Sequence, residues 1–214
     1  ITECHTSNRE YLRYVMGLPS FGYPDAFMVP SQAQALILQE EHRVRQPVYV
    51  IPNGIDCSLF AYRNNPPPGW PAQSPPASRI LGWIGRLEPA KNPLFFLRIA
   101  RVVQANEPAL TVWMVGGKNF SPQHRQVMDK VRALGLTGTF RWFPAIPYHQ
   151  MPYLYSRITN SGGCLVSTSE RECYPMILLE AAACRCPVAG TDIEGNRAVI
   201  ESGRDGLLFP SGDL

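Results

Sequence analysis

Between residues 79 and 209 short apolar runs alternate with longer stretches of helical character, and this alternation limits the folds open to the chain. The runs 79–84, 110–115, 139–143, 163–167, 187–190 and 206–209 read as strands. Asn92 with Pro93 behind it opens the first intervening helix, a favoured cap and first-position pairing. Helix 121–134 is closed by Gly135, and further helices fall near 149–157, over 175–184 and near 196–201. Apolar strands joined by helical crossovers imply an α/β fold with a parallel, doubly wound sheet. If the strands run in the order 3-2-1-4-5-6, a crevice opens between the first and the fourth. The loops that carry Gly85, Arg86 and Lys91 on one side and Glu170 to Pro175 on the other then converge there.

Upstream, 25–30 reads as a short strand, Ser31 caps a helix through about His42, and 48–51 is another strand ended by Pro52-Asn53-Gly54. Residues 63–78 form a Pro-rich connector without core periodicity, expected to be a surface loop near a domain boundary. The 214 residues suffice for one full domain and part of another. Because Ile1 is not a start methionine and no signal peptide precedes it, the chain reads as a piece of a longer protein.

Hydrophobic residues make up 45% and charged residues 17%, which fits a packed core and argues against wholesale disorder. A net charge of +3, with no aromatic and basic stripe, gives no footprint for nucleic acid. The cysteines at 4, 57, 164, 173, 184 and 186 form no compact disulfide framework and are expected to be reduced thiols in a cytoplasmic protein. Cys184-x-Cys186 has no second half at metal-site spacing, so no metal site is expected. No stretch is long and apolar enough to span a membrane.

The chemistry concentrates in Glu172-Cys-Tyr-Pro-Met-Ile-Leu-Leu-Glu180, a loop acid followed by a second acid inside a helix. A helix N-terminus attracts phosphate, and carboxylates accept hydrogen bonds from hydroxyls, so the segment suits a ligand anionic at one end and hydroxylated at the other. Gly85 permits close backbone approach, Arg86 can grip a diphosphate through two donors, and Lys91 adds a point charge. On the residues alone, each acid could equally be an exposed helix-end carboxylate, and the cations a solvated loop. Gly116-Gly117 reads as a turn, and His5 as an ordinary loop histidine. The first strand is not followed by G-x-G-x-x-G, and no P-loop pattern occurs, which counts against dinucleotide oxidoreductases and P-loop enzymes.

Taken in order, Val50–Asp56, Gly82–Leu87 with Lys91, Trp113–Gly116, Val166–Glu172, Leu179–Ala181, Pro187–Ala189 and Gly206–Pro210 resemble retaining glycosyltransferases of the GT-B fold, family 4 (glycosyl transferases group 1). The resemblance implies two Rossmann-like domains facing each other across a cleft. Residues 1–52 would be the C-terminal remnant of the acceptor domain with the interdomain segment. Residues 53–214 would be the nucleotide-sugar donor domain, without the closing C-terminal helices expected to follow Leu214. By position, Arg86 and Lys91 would hold the donor diphosphate, with Gly85 beside them. Glu172 would contact the transferred sugar near the reacting centre, and Glu180 the ribose hydroxyls. Backbone near Met176 would approach the phosphates, Ile146 would lie against the base, and His5 would match an acceptor-domain catalytic histidine. The resemblance further implies a UDP-, GDP- or ADP-sugar donor, an acceptor that the sequence does not identify, and neither metal nor cofactor. Any peripheral membrane contact would come through regions outside these residues. The isolated fragment is expected to be inactive. A non-catalytic sugar-nucleotide binder and an epimerase on the same architecture are the alternatives.

The chain departs from the family pattern at several points. Pro175, Asn92, Pro144 and Arg185 stand where glycine is frequent, Ala198 where glutamate is common, and Asn160 to Gly163 reads as a small insertion. Pro175 removes a backbone N–H that could serve a phosphate.

Overall fold

The structure, a computed structural model, describes residues 1–6, 8–17, 24–68, 70 and 78–212. Much of the Pro-rich connector expected over 63–78 lies outside the described residues, as do Ser7 and Leu214. Two parallel sheets are present.

The first contains β1 (Thr2–Glu3), β2 (Phe27–Val29) and β3 (Val48–Val50) in that spatial order. Between β1 and β2 lies α1 (Arg9–Met16), whose cap Asn8 accepts from the Tyr11 N–H. The apolar sequence pattern shows neither β1 nor α1. The strand is two residues long, and α1 buries Leu12 as its one fully covered residue. Ser31 caps the next helix as expected, accepting from Gln34 N–H, but the helix is α only over α2 (Gln32–Leu36) and widens to π over Ile37–Glu41.

The second sheet holds β4 (Ile80–Ile84), β5 (Thr111–Val115), β6 (Phe140–Phe143), β7 (Cys164–Ser167), β8 (Val188–Thr191) and β9 (Leu207–Phe209). Its order is β6-β5-β4-β7-β8-β9, which is the 3-2-1-4-5-6 arrangement read from the sequence. Registers such as Gly82↔Trp113 and Leu81↔Cys164 are parallel throughout. The crossovers are α3 (Pro93–Asn106), α4 (Pro122–Ala133), α5 (Met151–Asn160), α6 (Met176–Ala183) and the single turn α7 (Glu194–Arg197).

Alternation along the strands sorts the core into two layers. Trp113, Leu154, Tyr155, Ile158, Leu165 and Leu178 pack on the side covered by α5 and α6. Trp83, Phe96, Leu97, Val112, Met114 and Val131 pack on the side of α3 and α4. The segment after β3 joins the first layer through Phe60, whose ring meets Tyr148 edge-on at 5.2 Å.

Two departures from the family's glycines acquire a backbone reason. Asn92 has φ 46° and Arg185 φ 61°, both in the left-handed region that favours glycine. Asparagine tolerates that region, and here Asn92 also caps α3, accepting from Phe95 N–H at 3.2 Å. Arg185 tolerates it less well, and its guanidinium lies 5.5 Å from the Tyr62 ring centroid. The expected helix near 196–201 is instead α7. Asn196 folds back after β8, its Nδ2 donating to Thr191 O at 2.8 Å, and this starts the turn earlier.

Candidate functional site

Strand order reverses between β4 and β7, so the crevice at their C-terminal ends is a topological switch point. The β4 and β7 loops are knitted together there. Glu170 N–H donates to Ala90 O at 2.8 Å. Asn92 Nδ2 donates to Glu170 Oε1 at 3.0 Å. Thr168, 1% exposed, accepts from Trp83 Nε1 at 3.0 Å and turns its own hydroxyl toward the Lys91 and Asn92 carbonyls. This lattice brings the Lys91 ammonium onto the Glu172 carboxylate as an ion pair, with side chains 22% and 12% exposed.

Glu172 is held from behind as well. Ser169 Oγ donates to Glu172 Oε1 at 2.7 Å. Thr191 Oγ1 donates to Ser169 O at 2.5 Å, and Asn196 donates in turn to Thr191. Ser169, Thr191 and Asn196 are all buried, so the path runs through the interior from β8 and α7 to the carboxylate. Gly195 closes it: a Cβ there would sit 2.3 Å from Glu172 O. On the other wall Gly116, at φ 117°, lies so close that a Cβ would meet Gly85 O at 2.1 Å, and Gly85 N–H donates to Val115 O at 3.0 Å. The glycine pair after β5 is thus a turn that lets the β4 loop pack tightly.

Helix α6 begins directly after the Glu172 loop, at Met176, with Pro175 as its cap residue and no side-chain cap bond. Its N–H groups form the open positive end of the dipole. Glu180, on the inward face of α6, is 7% exposed and accepts from Tyr155 OH at 2.6 Å. Burial pushes its carboxyl above the ordinary glutamate value, and the Tyr155 bond pulls it part of the way back. The Tyr155 hydroxyl is driven well above the usual phenol value, by burial first and then by the Glu180 charge.

The sign of the resulting pH effect follows from that shift. A carboxyl raised on folding binds its proton more tightly in the native chain. Its stabilising share is therefore complete below the unfolded value and shrinks as pH rises toward the folded one. Ligand hydroxyls need the opposite, ionised form as acceptor. If Glu180 is the acceptor for a ligand's hydroxyls, affinity for that ligand should fall on acidification from a pH above the ordinary glutamate range. The matching Glu180→Gln profile, from calorimetric titrations across pH, should be flat there.

The remaining sequence candidates lie elsewhere. Arg86 is largely exposed and pairs with Glu88 at 2.9 Å, at the rim rather than on Glu172. Ile146 is buried in the layer with Met151 and Tyr155. His5 sits just after β1, half-exposed, with Nε2 3.3 Å from Glu3 Oε2, at a largely apolar cavity of about 410 Å³. A charged cleft of about 290 Å³ spans both sheets and brings Arg9 and Ile37 opposite Arg171, Glu172 and Ile193. Ser169, Thr191, Gly195, Asn196 and Tyr155 are additions to the sequence reading. Gly195, two residues beyond the apolar end of the fifth strand's loop, offers the one local signal among them. Among the described residues no group of three or more His, Cys, Asp or Glu gathers as a metal site. Nor is any described helix long and apolar enough to cross a membrane.

The family described as glycosyl transferases group 1 matches residues 70–214, more than half of the chain. D-inositol 3-phosphate glycosyltransferase of Frankia alni is 30% identical over 178 residues, covering 78% of this chain and 41% of that protein. The protein of the same name from Thermobispora bispora is 27% identical over 187 residues, covering 83% and 42%. The chain thus spans about two fifths of the length of these relatives. Among solved structures, a glycosyltransferase from Rickettsia africae aligns with TM-score 0.77 at 18% identity, over 99% of this chain and 56% of that one. Anabaena Alr3699/HepE in complex with UDP and glucose aligns with TM-score 0.74 at 20% identity, over 98% and 57%. The pneumococcal O-GlcNAc transferase GtfA in complex with UDP and GlcNAc aligns with TM-score 0.75 at 20% identity, over 98% and 41%. These likenesses establish the Rossmann-like α/β arrangement of GT-B enzymes.

Proposed function

Because this chain belongs to the glycosyl transferases group 1 family, we propose that it is mainly the donor-binding half of a retaining glycosyltransferase that uses a nucleotide sugar. The observation that carries this reading is the meeting of Lys91 and Glu172 at the β4/β7 switch point, with the α6 N-terminus and Glu180 alongside. Residues 53–214 would hold the donor, and residues 1–52 would contribute the edge of the acceptor side.

In this scheme the diphosphate lies at Lys91 and the backbone near Met176, beside Gly85. Arg86 swings from Glu88 to join it. Glu180 accepts the ribose hydroxyls, its carboxylate already aimed by Tyr155. The base rests near Ile146. Glu172 contacts hydroxyls of the transferred sugar close to the anomeric carbon, and His5 approaches from the facing sheet. As the bond from that carbon to the diphosphate oxygen breaks, an acceptor hydroxyl bonds on the same face and passes its proton to the departing diphosphate oxygen. Lys91, Arg86 and the helix dipole stabilise the charge developing on the leaving diphosphate. Those cations occupy the place a divalent ion would otherwise take, so no metal is required. A cytoplasmic setting suits its six reduced thiols.

Calorimetric titration of the chain with UDP, GDP and ADP tests the donor role. Saturable binding of one of them, at a single site, is expected. A folded sample that binds none contradicts it. Acceptor-dependent transfer should be negligible for the chain alone and robust for the longer enzyme.

A further inference from the structure

Gln34 is a polar side chain with 1% of its surface exposed, on a helix of the first sheet, and nothing in the scheme above uses it. Its backbone is fixed at the start of α2, where its N–H donates to the Ser31 hydroxyl at 3.3 Å. Its amide nitrogen donates to Thr6 O at 2.7 Å and lies 3.5 Å from Cys4 Sγ. Its amide oxygen accepts from Cys173 Sγ at 3.4 Å, across the cleft on the loop of the second sheet. One amide therefore touches both chain neighbours of His5 and the chain neighbour of Glu172.

We propose that Gln34 is a positioning residue that holds the His5 loop in register with the Glu172 loop across the cleft. The inference rests on the transferase reading only for what that register is used for. The Thr6 carbonyl is the strong anchor, because an amide N–H to a carbonyl is an ordinary full hydrogen bond. The thiol is a weak donor and contributes direction more than energy. A glutamine suits the position because its terminal amide presents donor and acceptor on opposite sides, one for each loop. Loss of the amide takes the buried donor from the Thr6 carbonyl and the Gln34 contact from the Cys173 thiol, so the two loops no longer share one anchor. Misplacing two reacting groups by about 1 Å is enough to cost about 10²-fold in rate.

The test uses Gln34→Met, which keeps the unbranched shape and removes both hydrogen-bonding halves, with Gln34→Leu as a second variant. Iodoacetamide labelling of the chain is followed by mass spectrometry of the peptides that carry Cys4 and Cys173. Exposed Cys57 marks the fast limit. Burial pushes Cys184 and Cys186 up to about 12, so they mark the slow one. Cys173 should label several-fold faster in both variants than in the native chain. An unchanged rate at Cys173, or a change at Cys4 alone, overturns the proposal, because Gln34 would then serve only its own sheet. In the longer enzyme kcat should fall by about tenfold or more while the donor KM stays within about twofold. An undiminished kcat, or a parallel loss of donor affinity, also overturns it. A native enzyme without transferase activity would instead contradict the functional reading, and the thiol comparison would still judge Gln34 by itself.

Discussion

Under the proposed donor role, Glu172→Gln in a longer protein that carries this chain should lower kcat by about 10²–10³-fold without weakening nucleoside diphosphate affinity. Glutamine keeps the size of the side chain and can still accept the Ser169 hydroxyl. What it lacks is the charge that the proposed scheme sets beside the reacting centre, and the second hydroxyl-accepting oxygen. The change also releases Lys91 from its ion pair, since that ammonium now rests on Glu172. A freed ammonium meets an incoming diphosphate with no carboxylate competing for it, so binding of the leaving group holds or tightens. Steady-state kinetics with calorimetry on the same samples separates the two effects. An unaltered kcat would remove Glu172 from the chemistry.

On the same proposed role, Gly195→Ala should lower kcat by about 10²-fold through geometry alone. The added methyl would stand 2.3 Å from the Glu172 carbonyl oxygen and 2.5 Å from its Cβ, distances at which the backbone of Glu172 or the α7 turn must move. No flexible side-chain end is available to yield, because the facing atoms are the Glu172 carbonyl and Cβ, which move only with the backbone. Overpacking of this kind costs about 1–3 kcal/mol, so a melting temperature several degrees lower accompanies the loss. Nucleoside diphosphate affinity should change least, because the atoms nearest the added methyl belong to Glu172 and not to Lys91 or α6. A Gly195→Ala enzyme with native kcat would show that the turn after β8 does not place Glu172.

Much of the large sheet was legible because its signals are local. Apolar runs marked β4 to β9, and Ser31 and Asn92 each cap the helix that their positions announced. The meeting of the two loops followed from topology, since the strand order fixes which loops share the switch point. What escaped is made by contacts between residues far apart in sequence. Thr191 reaches Ser169 across 22 residues, and Gln34 reaches Cys173 across 139, with no periodicity to announce either. Tyr155 lies in the helix expected near 149–157, and its hydroxyl acquires meaning only when Glu180 stands opposite. Arg86 illustrates the reverse. Its place in the loop was read correctly, yet Glu88, two residues on, holds the guanidinium at the rim.

The most direct measurement is a crystal structure of the chain with its preferred nucleoside diphosphate. Phosphate oxygens are expected within hydrogen-bond reach of Lys91 Nζ and the first N–H groups of α6, and a ribose hydroxyl on Glu180. A nucleotide seated elsewhere on the sheet, with Lys91 still closed on Glu172 and Glu180 contacted only by Tyr155, would contradict the proposed donor role.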